Sequence, residues 1–168
     1  MLCIQGFPAP YRKVLIRAVA IVRQRLARPP GPISRDLLED LRAIVSGSRP
    51  KVDLVYGGQT DACRMSYGRS AGYRIMLCRK AFQERREAVV LFHEMVHVAS
   101  GWELDAEAFE NAWFTRAEGA RQPTRADWET FKDDGYRGWW VQMDPRTRRV
   151  TDYADRPLLT FPPRPRTR

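Results

Sequence analysis

The sequence predicts an α+β fold: a small antiparallel or mixed sheet packed on one central helix, with additional helices around it. Three observations carry this. Apolar residues recur at helical spacing in several separate stretches. Between residues 52 and 78, short runs rich in Val, Tyr and Ile are punctuated by glycine. The most apolar stretch, Ala88–Ala99, also holds both of the chain's histidines. With 168 residues the chain is long enough for one domain with a real core, drawn at 1–155, and a Pro/Arg-rich tail at 156–168.

The elements follow in order. Tyr11–Arg28 reads as a basic amphipathic helix that buries Val14, Leu15, Ala18, Val22 and Leu26 and stops at Pro29-Pro30-Gly31-Pro32. Ser34 caps a second helix carrying Leu37, Leu38, Leu41, Ile44 and Val45, which ends at Gly47. Val52–Tyr56, Arg64–Tyr67 and Tyr73–Cys78 are strand signals, and their spacing suggests an antiparallel meander. A long helix from Gln83 to Ser100 follows, stopped by Gly101, and then another over Leu104–Glu118. Thr124 with Asp127 begins a short helix reaching about Asp134. Gly138–Met143 and Arg148–Tyr153 form a hairpin around Asp144-Pro145-Arg146-Thr147. The proline- and arginine-rich segment from Arg156 is expected to be extended or disordered.

Composition narrows the function classes. No apolar stretch reaches the length of a membrane span. Met1–Pro10 has no basic segment followed by an apolar one, so a secretory signal is not expected. Cys3, Cys63 and Cys78 are an odd set without C-x-x-C spacing, which argues against a disulfide framework and a cysteine-based zinc site. Reduced thiols in a cytosol are the simplest reading, a protein exported without a cleaved signal would look the same, and a Cys63–Cys78 bridge stays open. The net charge of +9 is uneven: basic ends flank an acidic block that begins just after the histidines. Such ends can make weak contacts with nucleic acid or an acidic surface, although arginine-rich solvated surface is the simpler explanation. Oligomeric state is not legible.

The motif His93-Glu94-Met95-Val96-His97 dominates the chemistry. On a helix the two histidines lie on one face a turn apart, where both can bind one metal ion. Glu94, beside that face, is placed to take a proton from a metal-bound water. Burying two imidazoles and a carboxylate without partners costs several kcal/mol, so something must satisfy them. A catalytic zinc site wants three protein ligands and one open position. Candidates for the third lie in Trp102–Asn111. They are Glu103, Asp105, which would serve equally as a helix N-cap, and Glu107, which pairs with Asn111 four residues on.

Over roughly Tyr73–Trp113, with an extended strand, the H-E-x-x-H helix and then an acidic helix, the sequence resembles the zincin metallopeptidases. Within them it is similar to the gluzincins, whose second motif Glu103-Leu104-Asp105-Ala106-Glu107-Ala108-Phe109-Glu110 looks like. That resemblance implies Zn²⁺ bound by His93, His97 and Glu103, with Glu107 as the alternative ligand or as the group that orients a histidine. It also implies Glu94 as general base, a peptide or protein substrate paired to the Tyr73–Cys78 strand, and hydrolysis of peptide bonds. Tyr136 or Tyr153 could stabilise the oxyanion, and Trp139 and Trp140 could wall a pocket. A compact effector or toxin is one setting for such an activity. The competing expectation is a catalytically silent zincin-like binding module that contacts nucleic acid or a protein through its basic ends.

Overall fold

The computed structural model describes residues 2–48 and 51–161. It is α+β, with two small sheets and six α-helices among those residues. The chain opens with β1 (Cys3–Gln5), α1 (Ala9–Ala27) and α2 (Arg35–Ser46). Ser34 accepts the Leu37 N–H at the start of α2, and Gly47 closes it in the left-handed conformation, both as its sequence dictates. Then come β2 (Asp53–Gly58), β3 (Gly68–Ala71), β4 (Arg74–Cys78), α3 (Arg79–Gln83) and α4 (Glu87–Ser100). The last third comprises α5 (Glu103–Trp113), α6 (Arg125–Asp133), β5 (Val141–Met143), β6 (Arg149–Asp152) and β7 (Pro157–Thr160).

The first sheet has the order β1-β2-β4-β3. β1 and β4 both run parallel to β2, and only β3 is antiparallel to its neighbour. The sheet is therefore mixed, and the antiparallel meander expected from strand spacing does not occur. Two local features account for the difference. β1 is only three residues long, too short to show a period, yet it supplies a parallel neighbour reached through α1 and α2. The segment Arg64–Tyr67 is not a strand; a 3₁₀ turn at Asp61–Cys63 precedes it, and pairing begins at Gly68. The expected long helix from Gln83 is also two: α3 ends at Gln83, and Arg85 takes a positive φ before α4 starts at Glu87.

α4 is the centre of the molecule. Val89, Val90, Leu91, Phe92, Met95 and Val96 are all buried, so the helix is apolar around nearly its whole circumference, as a fully enclosed helix must be. It packs on β3 and β4 on one side and on α1, α2 and α5 on the others. Gly68 permits the closest of these approaches: a Cβ there would lie 2.7 Å from Val90 Cγ1 and 3.0 Å from Glu94 Oε1.

The second sheet, β5-β6-β7, is antiparallel and packs on α5. The β5–β6 hairpin matches expectation, but β7 lies in the segment read as an extended tail. Pro157–Thr160 pairs with β6, and Phe161 is buried. Residues 162–168 lie outside the described residues. No described helix is long and apolar enough to cross a membrane.

Cys63 and Cys78 form a disulfide, where reduced thiols were the simplest expectation, and Cys3 is free. The β3–β4 hairpin returns the chain so that these distant cysteines meet, with Cα atoms 5.4 Å apart. The bridge ties the segment carrying Met65, Ser66 and Tyr67 to the end of β4. Closing a loop of 15 residues stabilises by about 3 kcal/mol in the chain-entropy picture. The double variant Cys63→Ser, Cys78→Ser should therefore lose about that much in denaturant unfolding, and reductant should have the same effect on the wild type. Unchanged stability in both experiments would show that the bridge contributes nothing.

Candidate metal centre

The motif residues sit on the second and third turns of α4, facing the start of α5. Gly101 adopts φ 76° and ends α4, so the chain reverses at once and α5 begins at Glu103. This tight reversal brings Glu103 back over the histidines. Glu103 Oε2 lies 2.8 Å from His97 Nε2, and Glu103 Oε1 lies 3.4 Å from His93 Nε2. One donor atom from each of the three residues falls within 4.8 Å of the others, a spacing that could hold one metal ion.

Of the acidic candidates, the structure brings only Glu103 to both imidazoles. Asp105 points the other way: its carboxylate accepts the Trp139 and Trp140 N–H groups at 2.8 and 2.9 Å and so fixes the second sheet to α5. Glu107 is fully buried behind Glu103, and neither of its oxygens has a hydrogen-bond partner among the described residues. The Arg121 guanidinium is 3.6 Å away. Glu107 does not orient a histidine either. That contact belongs to Glu110, whose Oε2 accepts from His93 Nδ1 at 2.9 Å. The signal for Glu110 was in the sequence: Glu103, Glu107 and Glu110 are spaced i, i+4, i+7 and so share one helix face. Glu110 Oε1 also accepts the Arg121 N–H at 3.0 Å and lies 3.5 Å from Arg86 Nη2.

With Nδ1 donating to Glu110, His93 turns Nε2 toward Glu103, and loss of the Nε2 proton would leave the tautomer a metal ligand needs. Burial pushes the His93 pKa down, but its hydrogen bonds to Glu103 and Glu110 outweigh burial and hold it well above the ordinary value. Burial likewise pushes Glu103 up, and the hydrogen bonds and charges of His93 and His97 reverse this and hold it far below the carboxylate range. Glu94 is 5% exposed, and burial raises its pKa against the opposing pull of His93, His97 and a Ser70 hydrogen bond. A carboxyl raised in this way is a stronger base than a free one.

Glu107 differs in being raised by burial to about 8 without compensating hydrogen bonds. An acid whose folded pKa exceeds its unfolded pKa holds its proton in the native state after the unfolded chain has lost it. Stability from this group is therefore complete below about 4.5 and falls as pH rises toward 8. In metal-free protein, wild type should lose roughly 1.4 kcal/mol per pH unit relative to Glu107→Gln across that window. Parallel stability profiles for the two proteins would show that Glu107 ionises normally.

His93, Glu94, His97, Glu103 and Glu110 line a cleft of about 500 Å³. Its opposite wall is Tyr67, Gly68, Arg69 and Ser70, so the strand that lines the cleft is β3, the sheet edge, and not the Tyr73–Cys78 segment. Tyr136, Tyr153, Trp139 and Trp140 do not line the cleft. Tyr153 donates its hydroxyl to the Gly138 carbonyl, and Tyr136 packs on Trp128. The aromatic ring lining the cleft is Tyr67, which precedes β3 rather than lying on the strand expected over Arg64–Tyr67. No family model, curated protein or solved structure matches the chain.

Proposed function

We propose that the protein is a zinc-dependent metallopeptidase with a zincin-like site. The observation carrying this reading is the convergence of His93 Nε2, His97 Nε2 and the Glu103 carboxylate beside the buried Glu94. The donor set fits the ion: two imidazoles and one carboxylate leave a tetrahedral site one open position. The Glu110 contact on His93 is the outer hydrogen bond that metal-binding imidazoles generally make. When bound, zinc supplies Lewis acidity to a substrate carbonyl and acidifies a water.

The protein's own groups do the rest. Glu94, next to the donor cluster and held by Ser70, accepts the proton of the attacking water and passes it to the leaving amine. The outer edge of β3 has no strand partner among the described residues, and an extended peptide can pair with it along the cleft. The Cys63–Cys78 bridge favours the exported setting over a reducing cytosol.

Zinc stoichiometry measured on purified protein, together with cleavage of a mixed peptide library with and without chelator, tests this reading. We expect one zinc per chain and cleavage that chelation stops and added zinc restores. Metal-free protein after growth in ample zinc would remove the proposal.

A further inference from the structure

Charge is unevenly arranged in the cleft. Arg69, Lys80, Arg86 and Arg121 line it together with Glu94, Glu103 and Glu110, and Glu84, Glu107 and Asp127 stand beside Lys80 and Arg121 outside the lining. The lining acids belong to the donor cluster on α4 and α5. Lys80 and Arg86 gather around Tyr67, and Arg121, two residues past the Gly119 carbonyl that Arg86 holds, reaches into the cleft from the side of Glu107 and Asp127. Lys80 Nζ stands 4.4 Å from the Tyr67 ring centroid, and the Arg86 guanidinium carbon stands 4.1 Å from it.

Arg86 and the backbone of Arg121 are built in, while the ends of Arg121 and Lys80 are more open. Arg86 is 7% exposed and donates from Nε to the Gly119 carbonyl. Its carboxylate neighbour, Glu110, is divided between Arg86, His93 Nδ1 and the Arg121 N–H, so it balances Arg86 only in part. The backbone of Arg121 is clamped on both sides, its N–H by Glu110 and its carbonyl by Asn111 Nδ2 at 3.2 Å. Its guanidinium keeps looser contacts, 3.6 Å from both Glu107 and Asp127, and is partly open to the cleft. Lys80 is similarly exposed, 3.9 Å from Glu84. Cations fixed at the root with donors left over suit a carboxylate, which guanidinium groups grip through paired N–H donors.

We propose that Lys80, Arg86 and Arg121 bind a carboxylate of the substrate, so that the site selects acidic peptides. This rests on the peptidase reading for its role in catalysis, and its binding half can be tested apart from that reading. The carboxylate can be an Asp or Glu side chain or a free C-terminus.

The experiment compares, on zinc-loaded protein, one peptide series in three forms: Glu or Asp, their isosteric amides, and a free against an amidated C-terminus. Cleavage (kcat/KM) and direct binding by fluorescence anisotropy are both read, binding also on Glu94→Gln. We expect the acidic form to be favoured about tenfold in at least one arm, the size of a charge-assisted contact. The side-chain and C-terminal arms identify the source. Lys80→Gln and Arg121→Gln, at the more exposed positions, should each bring the acid-to-amide ratio toward one. Equal treatment of acid and amide, or no binding of either, overturns the proposal. So does a ratio that neither substitution moves. Acid-selective binding without cleavage sustains it and overturns the peptidase reading instead.

Discussion

Glu94→Gln is expected to keep stoichiometric zinc and lose hydrolysis by roughly 10²–10⁴-fold, the usual contribution of a positioned general base. The substitution is isosteric and replaces a buried ionisable group by a neutral one, so the fold should tolerate it. An amide cannot take up the water's proton, while the donor atoms of His93, His97 and Glu103 are untouched. The raised pKa of the native carboxyl reflects burial, with Gly68 packed so close that a Cβ there would lie 3.0 Å from Glu94 Oε1. Metal analysis beside a peptidase assay separates the two effects. Full residual activity would take Glu94 out of the mechanism; loss of zinc would mean the carboxylate helps hold the ion.

His93→Ala is expected to lose zinc altogether, and with it all activity. It removes one of three donors and also strands the Glu110 carboxylate, whose Oε2 accepts from His93 Nδ1. Leaving a buried acceptor unmet costs about 1–3 kcal/mol, so the melting temperature should fall as well. Glu110→Gln separates the two roles: it leaves all three donors in place and should weaken zinc binding roughly 10–100-fold rather than abolish it. Retained stoichiometric zinc in His93→Ala would contradict the ligand assignment. An unchanged zinc affinity in Glu110→Gln would show that the outer hydrogen bond does not orient the imidazole.

Much of this centre was legible because it is local. The placement of His93 and His97 on one helix face follows from a four-residue spacing, and Gly101 as a helix stop follows from its freedom to adopt positive φ. The same holds for the Ser34 cap and the Thr124–Asp127 capping box. What sequence reading missed involves partners distant in the chain. Asp105 suits ligand or cap equally in sequence, and the Trp139 and Trp140 N–H groups occupy it in the fold. β3, with the composition Gly-Arg-Ser-Ala, carries no strand signal and exists because β4 pairs with it. The disulfide had no spacing signature, because a hairpin rather than proximity in sequence brings Cys63 to Cys78.

The amino-acid order by itself determined the α+β class, the helix that carries the motif and the three motif residues. Each depends on periodicity or on the conformational preference of single residues, which act within a few positions along the chain. Tertiary structure decided that Glu103 meets the imidazoles, that Glu110 rather than Glu107 contacts His93, and that β3 walls the cleft. Those outcomes turn on how helices and strands pack and where the chain reverses. Several acidic residues on one helix face are equivalent in sequence until packing gives each a different neighbour.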